Sequence, residues 1–194
     1  MKWMTTPAMR LLAASAGFIS SAAASSAGPA FSGACEREMA RAAQVENIPL
    51  SVLYSVGLTE TGSRGHLQPY ALNIDGAARV AGDLPEALRL FHVAQARGAK
   101  FIDIGCMQIN HRWHSARFAS LEAMFDTRRN VDYAAHFLKE LRTREASWTL
   151  AVARYNAGPN NDRAQKKYVC AVIGNMVRSG LGAWTDNARK FCGA

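Results

Sequence analysis

The feature that most constrains the fold is a change in hydrophobic period partway along the chain. Apolar residues recur at helical spacing through residues 35–45 and 50–60, and helical periodicity is then lost from residue 61 to residue 81. Within and after this gap, residues 70–74 and 100–104 alternate between apolar and polar side chains, which predicts two short paired strands. The sequence therefore predicts an α+β fold that is mostly helical and carries one small sheet.

Helical spacing returns after each strand, and several of these segments have a recognisable start or end. Asp83 with Glu86 three residues later is typical of a capped helix start, and Gly98 is placed to end that helix. Asp126 and Ser147 are suitable N-cap residues for two further helices. The helices predicted after the first strand cover approximately residues 84–96, 120–125, 127–141, 148–155, 162–177 and 184–191.

Glu60 ends the second predicted helix in surroundings that favour a neutral carboxyl group. Gly62 follows it, and a glycine in the left-handed conformation is typical of a helix end. Carbonyl groups of the last turn carry partial negative charge, and Leu53 and Val56 share the helix face of Glu60. Both features disfavour a carboxylate, so Glu60 is a candidate general acid. An exposed glutamate at a frayed helix end would, however, give the same local sequence.

Two further motifs follow Glu60-Thr61-Gly62, namely Gly105-Cys106-Met107-Gln108-Ile109-Asn110 and Tyr155-Asn156-Ala157-Gly158. In this order, the chain resembles lysozyme-like lytic transglycosylases from about Cys35 to about Tyr168, and in particular their small members associated with secretion systems and flagella. In the first motif, threonine stands where many members have serine. The resemblance implies a lysozyme-like domain that cleaves the β-1,4 bond between N-acetylmuramic acid and N-acetylglucosamine and forms a 1,6-anhydro product.

The resemblance also implies a role for each motif residue. Glu60 would act as acid and then as base, Gln108 would hydrogen-bond the sugar, and Met107 would lie beneath the scissile bond. Tyr155 would place its hydroxyl group beside Glu60, and Asn156 would hold that corner of the cleft. Glu60 is therefore the predicted catalytic residue, and the predicted substrate-binding residues are Thr61, Met107, Gln108, Tyr155 and Asn156.

Two other functions are consistent with the same residues. A hydrolase on this fold, a muramidase or chitinase, needs a second carboxylate. Asp75 would serve, although Asp75 and Asp103 are better suited by position to a turn and a strand end. The other alternative is a non-catalytic glycan-binding or assembly protein. The complete set of Glu, Gln and Tyr-Asn motif residues argues against it.

The amino-terminal residues are typical of a secretory signal. Lys2 and Arg10 form a positively charged region, residues 11–19 are apolar, and residues 20–30 are mostly small. We therefore predict a signal peptide over residues 1–24, cleaved between residues 24 and 30, and a periplasmic protein. No apolar run in the rest of the chain is long enough to span a bilayer.

Length and charge narrow the organisation and the partners. A chain of 194 residues suits one domain with appendages, here a transglycosylase domain over residues 35–168 and a helical extension over residues 169–194 packed on it. The formal charge of +8 becomes +6 once Lys2 and Arg10 are removed, which suits an acidic polymer. The predicted partners are peptidoglycan glycan strands and a flagellar, secretion or pilus apparatus. No nucleic-acid motif accompanies the basic residues, so no nucleic acid is expected.

Four cysteines in an exported protein predict two disulfides rather than free thiols. Three pairings are possible, and we favour Cys35–Cys106 and Cys170–Cys192, because each would join segments expected to pack together. A zinc site is the alternative, but no close Cys/His spacing supports it. His111 and His114 are the closest histidine pair and are interpreted as residues of the cleft rim, so no metal or other cofactor is expected.

Overall fold

The computed structural model describes residues 32–62, 66–145, 147–158 and 160–194, so the predicted signal peptide lies outside the described residues. The architecture is mostly α with one small antiparallel sheet, as the sequence predicts. The helices are α1 (Ala34–Glu46), α2 (Leu50–Thr61), α3 (Leu84–Ala96), α4 (His111–His114), α5 (Leu121–Phe125), α6 (Thr127–Glu145), α7 (Trp148–Ala157), α8 (Asp162–Arg178) and α9 (Asp186–Cys192). The strands are β1 (Ala71–Ile74), β2 (Ala77–Val80), β3 (Ile102–Ile104) and β4 (Ile109–Asn110).

The longer helices pack in a closed ring around an apolar core. Helix α1 packs against α6, α6 against α7, α7 against α8, α8 against α2, and α2 against α1. Apolar residues at helical spacing in α1 and α6 face inward as one stripe, whereas α2 is buried on every side from residue 52 to residue 57. Fully buried members of this core are Met39, Ala42, Leu53, Val56, Val131, Ala134, Ala135 and Leu138.

The end of α2 differs from the prediction. Gly62 has a φ of −60° and a ψ of 118°, which is not the left-handed conformation. A Cβ atom at Gly62 would lie only 2.3 Å from the carbonyl oxygen of Leu58. Glycine is therefore required here by a close approach of the backbone, and the chain leaves the helix in an extended direction immediately after Thr61.

The sheet has the strand order β2-β1-β3-β4 in the described part of the chain, with every neighbouring pair antiparallel. Asp75 and Gly76 connect β1 to β2 with positive φ angles of 47° and 90°, a combination suited to a tight two-residue hairpin turn. The sequence predicted β1 and β3 but not β2 and β4. All residues of β2 are exposed, so they show no alternation, and β4 contains only two residues.

The helix caps largely follow the sequence signals. The Asp83 carboxylate accepts a hydrogen bond from the Glu86 amide (2.9 Å), while the Glu86 carboxylate accepts one from the Gly82 amide (2.8 Å). The second bond therefore lies one residue earlier than a standard capping box predicts. Helix α9 begins two residues later than predicted, because the Thr185 hydroxyl accepts from the Ala188 amide (3.2 Å) and caps it.

Two disulfides join Cys35 to Cys106 and Cys170 to Cys192, the pairings favoured from the sequence. The first links α1 to the segment between β3 and β4, and the second links α8 to α9. In the chain-entropy model, the disulfides, which link residues 71 and 22 positions apart, contribute roughly 3–4 kcal/mol each to stability.

Helix α8 runs without a break across residues 168 and 169, the predicted edge of the domain. Within the described ranges, no helix has both the length and the apolar character needed to cross a bilayer.

Candidate active site

A groove of about 340 Å³ opens where the end of α2 meets β3, β4, α4, α6 and α7. It contains the predicted residues Glu60, Gln108, Tyr155 and Asn156, so three motifs that are distant in sequence are adjacent in space. The other lining residues are Phe101, Asp103, Ile109, Asn110, Trp113, His114 and Phe137. A larger cavity of about 520 Å³ lies beside α1, α5 and the start of α6, but none of the predicted substrate-binding residues lines it.

Glu60 is held in a form that can carry a proton at neutral pH. Burial raises the pKa of its carboxyl group to about 7, while a hydrogen bond donated by the Tyr168 hydroxyl to Glu60 Oε1 acts in the opposite direction. The negative charge of Asp103 also contributes to this raised pKa. Because both protonation states are populated near pH 7, the group can give up a proton and take one back.

Tyr168 is the hydroxyl partner of Glu60, and it belongs to none of the three sequence motifs. Burial raises the pKa of Tyr168 well above its ordinary value, so the hydroxyl keeps its proton and acts as a donor. It lies on the buried face of α8 with Gln165, Val169 and Val172. That spacing is a sequence signal, because a tyrosine on a buried helix face needs a partner for its hydroxyl group.

Tyr155 was predicted to place its hydroxyl group beside Glu60. Burial, with a further contribution from the charge of Glu60, raises the pKa of that hydroxyl group, but its hydrogen bond goes to another residue. The Tyr155 hydroxyl donates to the carbonyl oxygen of Met107 (2.8 Å). Tyr155 therefore lines the groove with its ring and fixes the backbone of the segment that precedes Gln108. The bond to the Glu60 carboxylate belongs to Tyr168 instead.

Met107 and Thr61 were predicted to bind substrate, and both are buried beneath the groove. Met107 is fully buried in the core and does not line the groove. Thr61 is 9 % exposed, and its hydroxyl donates to the Cys106 carbonyl (2.9 Å) and accepts from the Gln68 amide (3.4 Å). These side chains join the end of α2 to the Gly105–Asn110 segment, so their role in this structure is to support the site.

Gln108 is positioned for a contact with a sugar. The backbone φ of 47° places Gln108 in the left-handed region. Its side-chain nitrogen Nε2 donates to the carbonyl oxygens of Gly105 (3.0 Å) and Ala71 (3.3 Å). The amide oxygen has no hydrogen bond to a described residue and can accept one from a sugar hydroxyl. Asn156 is exposed at the rim of the same groove.

Asn130 on α6 fixes the shape of the segment that carries Gln108. This fully buried side chain accepts from the Met107 amide and donates to the carbonyls of Ile104 and Met124, each at 2.9 Å. Gly105 has a φ of +77°, and a Cβ atom there would lie 2.7 Å from Asn130 Nδ2. Gly105 is therefore required both by its backbone conformation and by the space that Asn130 occupies.

The second carboxylate of the groove is Asp103, not Asp75. The Asp75 carboxylate accepts hydrogen bonds from the backbone amides of Lys100 and Phe101 and lies outside the groove, so a hydrolase that uses Asp75 is contradicted by the geometry. Asp103 lines the groove from β3 and accepts a hydrogen bond from Asn110 Nδ2 (2.6 Å). Burial raises the pKa of Asp103, and the bond from Asn110 opposes that shift.

The comparison with family models decides the family. The model described as the transglycosylase SLT domain matches residues 38–175, which is most of the chain. This chain belongs to the transglycosylase SLT domain family. No curated protein and no solved structure matched it. Members of this family are lytic transglycosylases with a lysozyme-like fold, which supports a peptidoglycan-cleaving enzyme here.

The two histidines near the groove of this SLT domain have no visible metal-binding arrangement. His114 lines the groove, and its Nδ1 lies 2.7 Å from the Tyr133 hydroxyl group. Burial lowers the pKa of both His111 and His114, which favours neutral rings at neutral pH. In the described ranges, no group of three or more His, Cys, Asp or Glu side chains is arranged to hold a metal ion.

Removal of either of two groups beside Glu60 of the SLT domain is expected to shift the pH profile of activity. The two shifts should be in opposite directions. Asp103→Asn removes a negative charge, lowers the pKa of Glu60 and moves the alkaline loss of activity to lower pH. Tyr168→Phe removes a hydrogen bond to the carboxylate, raises that pKa and moves the loss to higher pH. The measurement is kcat/KM on soluble glycan strands across about pH 5 to pH 9, where the wild-type alkaline limb should lie near pH 7.

Asp75→Asn is the matched control for this pair, since its carboxylate caps a turn outside the groove. It should keep the wild-type profile. Alkaline limbs that move in the same direction in Asp103→Asn and Tyr168→Phe would contradict the assignment of that limb to Glu60.

Proposed function

We propose that this protein is an exported lytic transglycosylase that uses Glu60 to cleave the bond between N-acetylmuramic acid and N-acetylglucosamine. The observation that carries the proposal is the half-buried Glu60 carboxyl group, with a pKa of about 7, in a groove lined by Gln108, Tyr155 and Asn156. Membership of the SLT family supports the reaction class, and the groove supports the assignment of the individual residues.

In the first step, protonated Glu60 donates its proton to the glycosidic oxygen as the bond from that oxygen to C1 of N-acetylmuramic acid breaks. The departing sugar leaves with a free 4-hydroxyl group, and positive charge develops at C1. The Tyr168 hydroxyl stabilises the carboxylate formed on Glu60. Asp103 lines the same groove, and its carboxylate can stabilise the positive charge at C1.

In the second step, the Glu60 carboxylate removes the proton from the C6 hydroxyl group of the same N-acetylmuramic acid. The C6 oxygen then forms a bond to C1 and closes the 1,6-anhydro ring, and no water is consumed. Glu60 is again protonated, so the cycle closes without a separate base. A tethered hydroxyl group also has a large effective concentration relative to bulk water.

A hydrolytic muramidase that uses Asp103 is the second candidate, favoured by one observation. Asp103 is a second carboxylate in the groove, and hydrolases on sugars usually employ two. In that reaction, Asp103 would act as nucleophile or as base for water, and the product would have a reducing end.

Product analysis separates the two reactions. Mass spectrometry of muropeptides released from purified sacculi should show 1,6-anhydro-N-acetylmuramic acid ends, one water lighter than the hydrolytic product, as the main species. Asp103→Asn should still give the anhydro product. A hydrolytic muramidase digest of the same sacculi provides the control. Reducing-end products as the main species, lost in Asp103→Asn, would contradict the transglycosylase and favour the muramidase.

We further propose that the protein acts in the periplasm, after removal of a signal peptide over residues 1–24, and that it opens the wall for a flagellar, secretion or pilus apparatus. The charge pattern of residues 2–30, the two disulfides and the likeness to small machine-associated members support this proposal. The helical extension over residues 169–194 would belong to the mature protein. Recovery of the uncleaved full-length chain in the cytoplasmic fraction of producing cells would contradict export.

A further inference from the structure

The groove around Glu60 continues into a second cavity. This cavity, of about 350 Å³, is bordered by α4, the turn after it, and α6, and it shares Trp113, His114 and Phe137 with the groove. We call it the basic extension. Its other lining residues are Arg117, Tyr133, His136, Glu140 and Arg144. A glycan strand bound across Glu60 and past Trp113 would therefore bring its next unit to the basic extension.

Trp113 marks the junction between the two cavities. Its surface is 66 % exposed, and the Arg112 guanidinium lies 5.2 Å from its ring centroid. An indole ring that is this exposed, at the mouth of a binding groove, offers a flat apolar surface to the face of a sugar ring. The groove and the basic extension can therefore belong to one continuous binding surface.

The charges of the basic extension distinguish it from the groove. Arg117 and Arg144 are exposed, and neither makes an ion pair with a described residue. Glu140, the acidic residue of this lining, lies 3.4 Å from His136 Nε2, and the other nitrogen of that ring lies 3.6 Å from Glu46.

We propose that the basic extension is a subsite for the stem peptide of peptidoglycan, in which Arg117 and Arg144 bind its free carboxylate groups. This inference rests on the proposed function, because it assumes that a glycan strand occupies the groove. Stem peptides branch from the lactyl group of N-acetylmuramic acid, and their carboxylates distinguish peptidoglycan from an uncharged glycan. A guanidinium group binds a carboxylate through two parallel hydrogen bonds, so two unpaired arginines suit such a ligand.

The test compares two forms of one substrate. Soluble, uncrosslinked glycan strands are used either with native stem peptides or after their carboxyl groups have been converted to amides, which keeps the sugars and peptide length but removes the charge. The quantity measured is the ratio of kcat/KM on native strands to kcat/KM on amidated strands. Arg117→Gln/Arg144→Gln should lower this ratio by about tenfold, mainly through KM, because two exposed charge contacts are lost.

Arg79→Gln/Arg97→Gln is the matched control, because it makes the same charge change in a cavity at the opposite edge of the sheet. It should keep the wild-type ratio. Both double substitutions concern exposed side chains, so folding should be unaffected. An unchanged ratio in Arg117→Gln/Arg144→Gln, or an equal fall in the control, would overturn the proposal. A wild-type protein that cleaves neither form would instead contradict the proposed function.

Discussion

Glu60→Gln is expected to lower the rate of sacculus digestion by at least about a thousandfold, because one side chain supplies both proton transfers. Glutamine has nearly the same shape and can still accept the hydrogen bond from the Tyr168 hydroxyl group, so the groove should keep its geometry. The measurement is the release of soluble muropeptides under conditions where the wild-type rate is linear. Digestion at more than about a tenth of the wild-type rate would remove Glu60 from the mechanism.

Glu122→Gln is the matched control for this variant. Glu122 is an exposed acid that lines the larger cavity beside α5, away from the groove. It should digest sacculi at the wild-type rate. A comparable loss of activity in Glu122→Gln would mean that the assay responds to overall charge rather than to the proton transferred in the groove.

Glu60→Gln is also expected to stabilise the folded protein at alkaline pH. The pKa of the Glu60 carboxyl is raised from an ordinary value of 4.5 to about 7 on folding, so the folded state retains a proton that the unfolded chain has released. Between these two pH values the stability of the wild-type protein falls as pH rises, and the loss is complete above about pH 7. Glutamine carries no charge and avoids a penalty of up to about 3 kcal/mol.

Urea unfolding of both proteins at about pH 4 and about pH 8 tests this expectation. Glu60→Gln should clearly exceed the wild type in free energy of unfolding only at the higher pH, since at the lower pH the wild-type carboxyl is mostly protonated in both states. Glu122→Gln serves as the control. A hydrogen bond with Ser120 lowers the pKa of Glu122, whereas the pKa of Glu60 is raised. A Glu60→Gln protein no more stable than the wild type at about pH 8 would contradict a buried, destabilising carboxylate.

The expected loss of activity and the expected gain in stability of Glu60→Gln have one cause, the burial of Glu60. Burial gives Glu60 a proton affinity suited to transfer near neutral pH, and the same burial destabilises the fold once the proton has left. The Tyr168 hydroxyl reduces that cost without removing it, because its hydrogen bond lowers the pKa only part of the way back.

Local patterns in the sequence predicted the α+β fold and most helix bounds, and the resemblance to lytic transglycosylases indicated four of the residues that line the groove. Glu60 was a candidate acid from its place at a helix end, Gln108, Tyr155 and Asn156 were implied by the resemblance, and all four line one groove. The favoured disulfide pairings also agree with the structure, since each joins segments that were expected to pack together.

What the sequence did not predict depends on contacts between distant residues. The bond between Tyr168 and Glu60 joins residues 108 positions apart on α8 and α2, and no local pattern specifies which hydroxyl group reaches a given carboxylate. Motif position also does not separate a residue that contacts a ligand from one that supports it, so Met107 was placed under the sugar although it is fully buried. Gly62 shows a related limit, because its role depends on the distance to the Leu58 carbonyl.

The Cys170–Cys192 disulfide affects how the carboxyl-terminal helices can open locally. Helices at the end of a domain are usually the first to fray, in local openings that leave the rest of the chain folded. Cys170 lies two residues beyond Tyr168, and its bond ties α8 to α9, which lies past the end of the family match. The bond therefore restrains α9 against α8 within one turn of the hydroxyl group that donates to Glu60, so a local opening of α8 at Cys170 cannot separate the two helices.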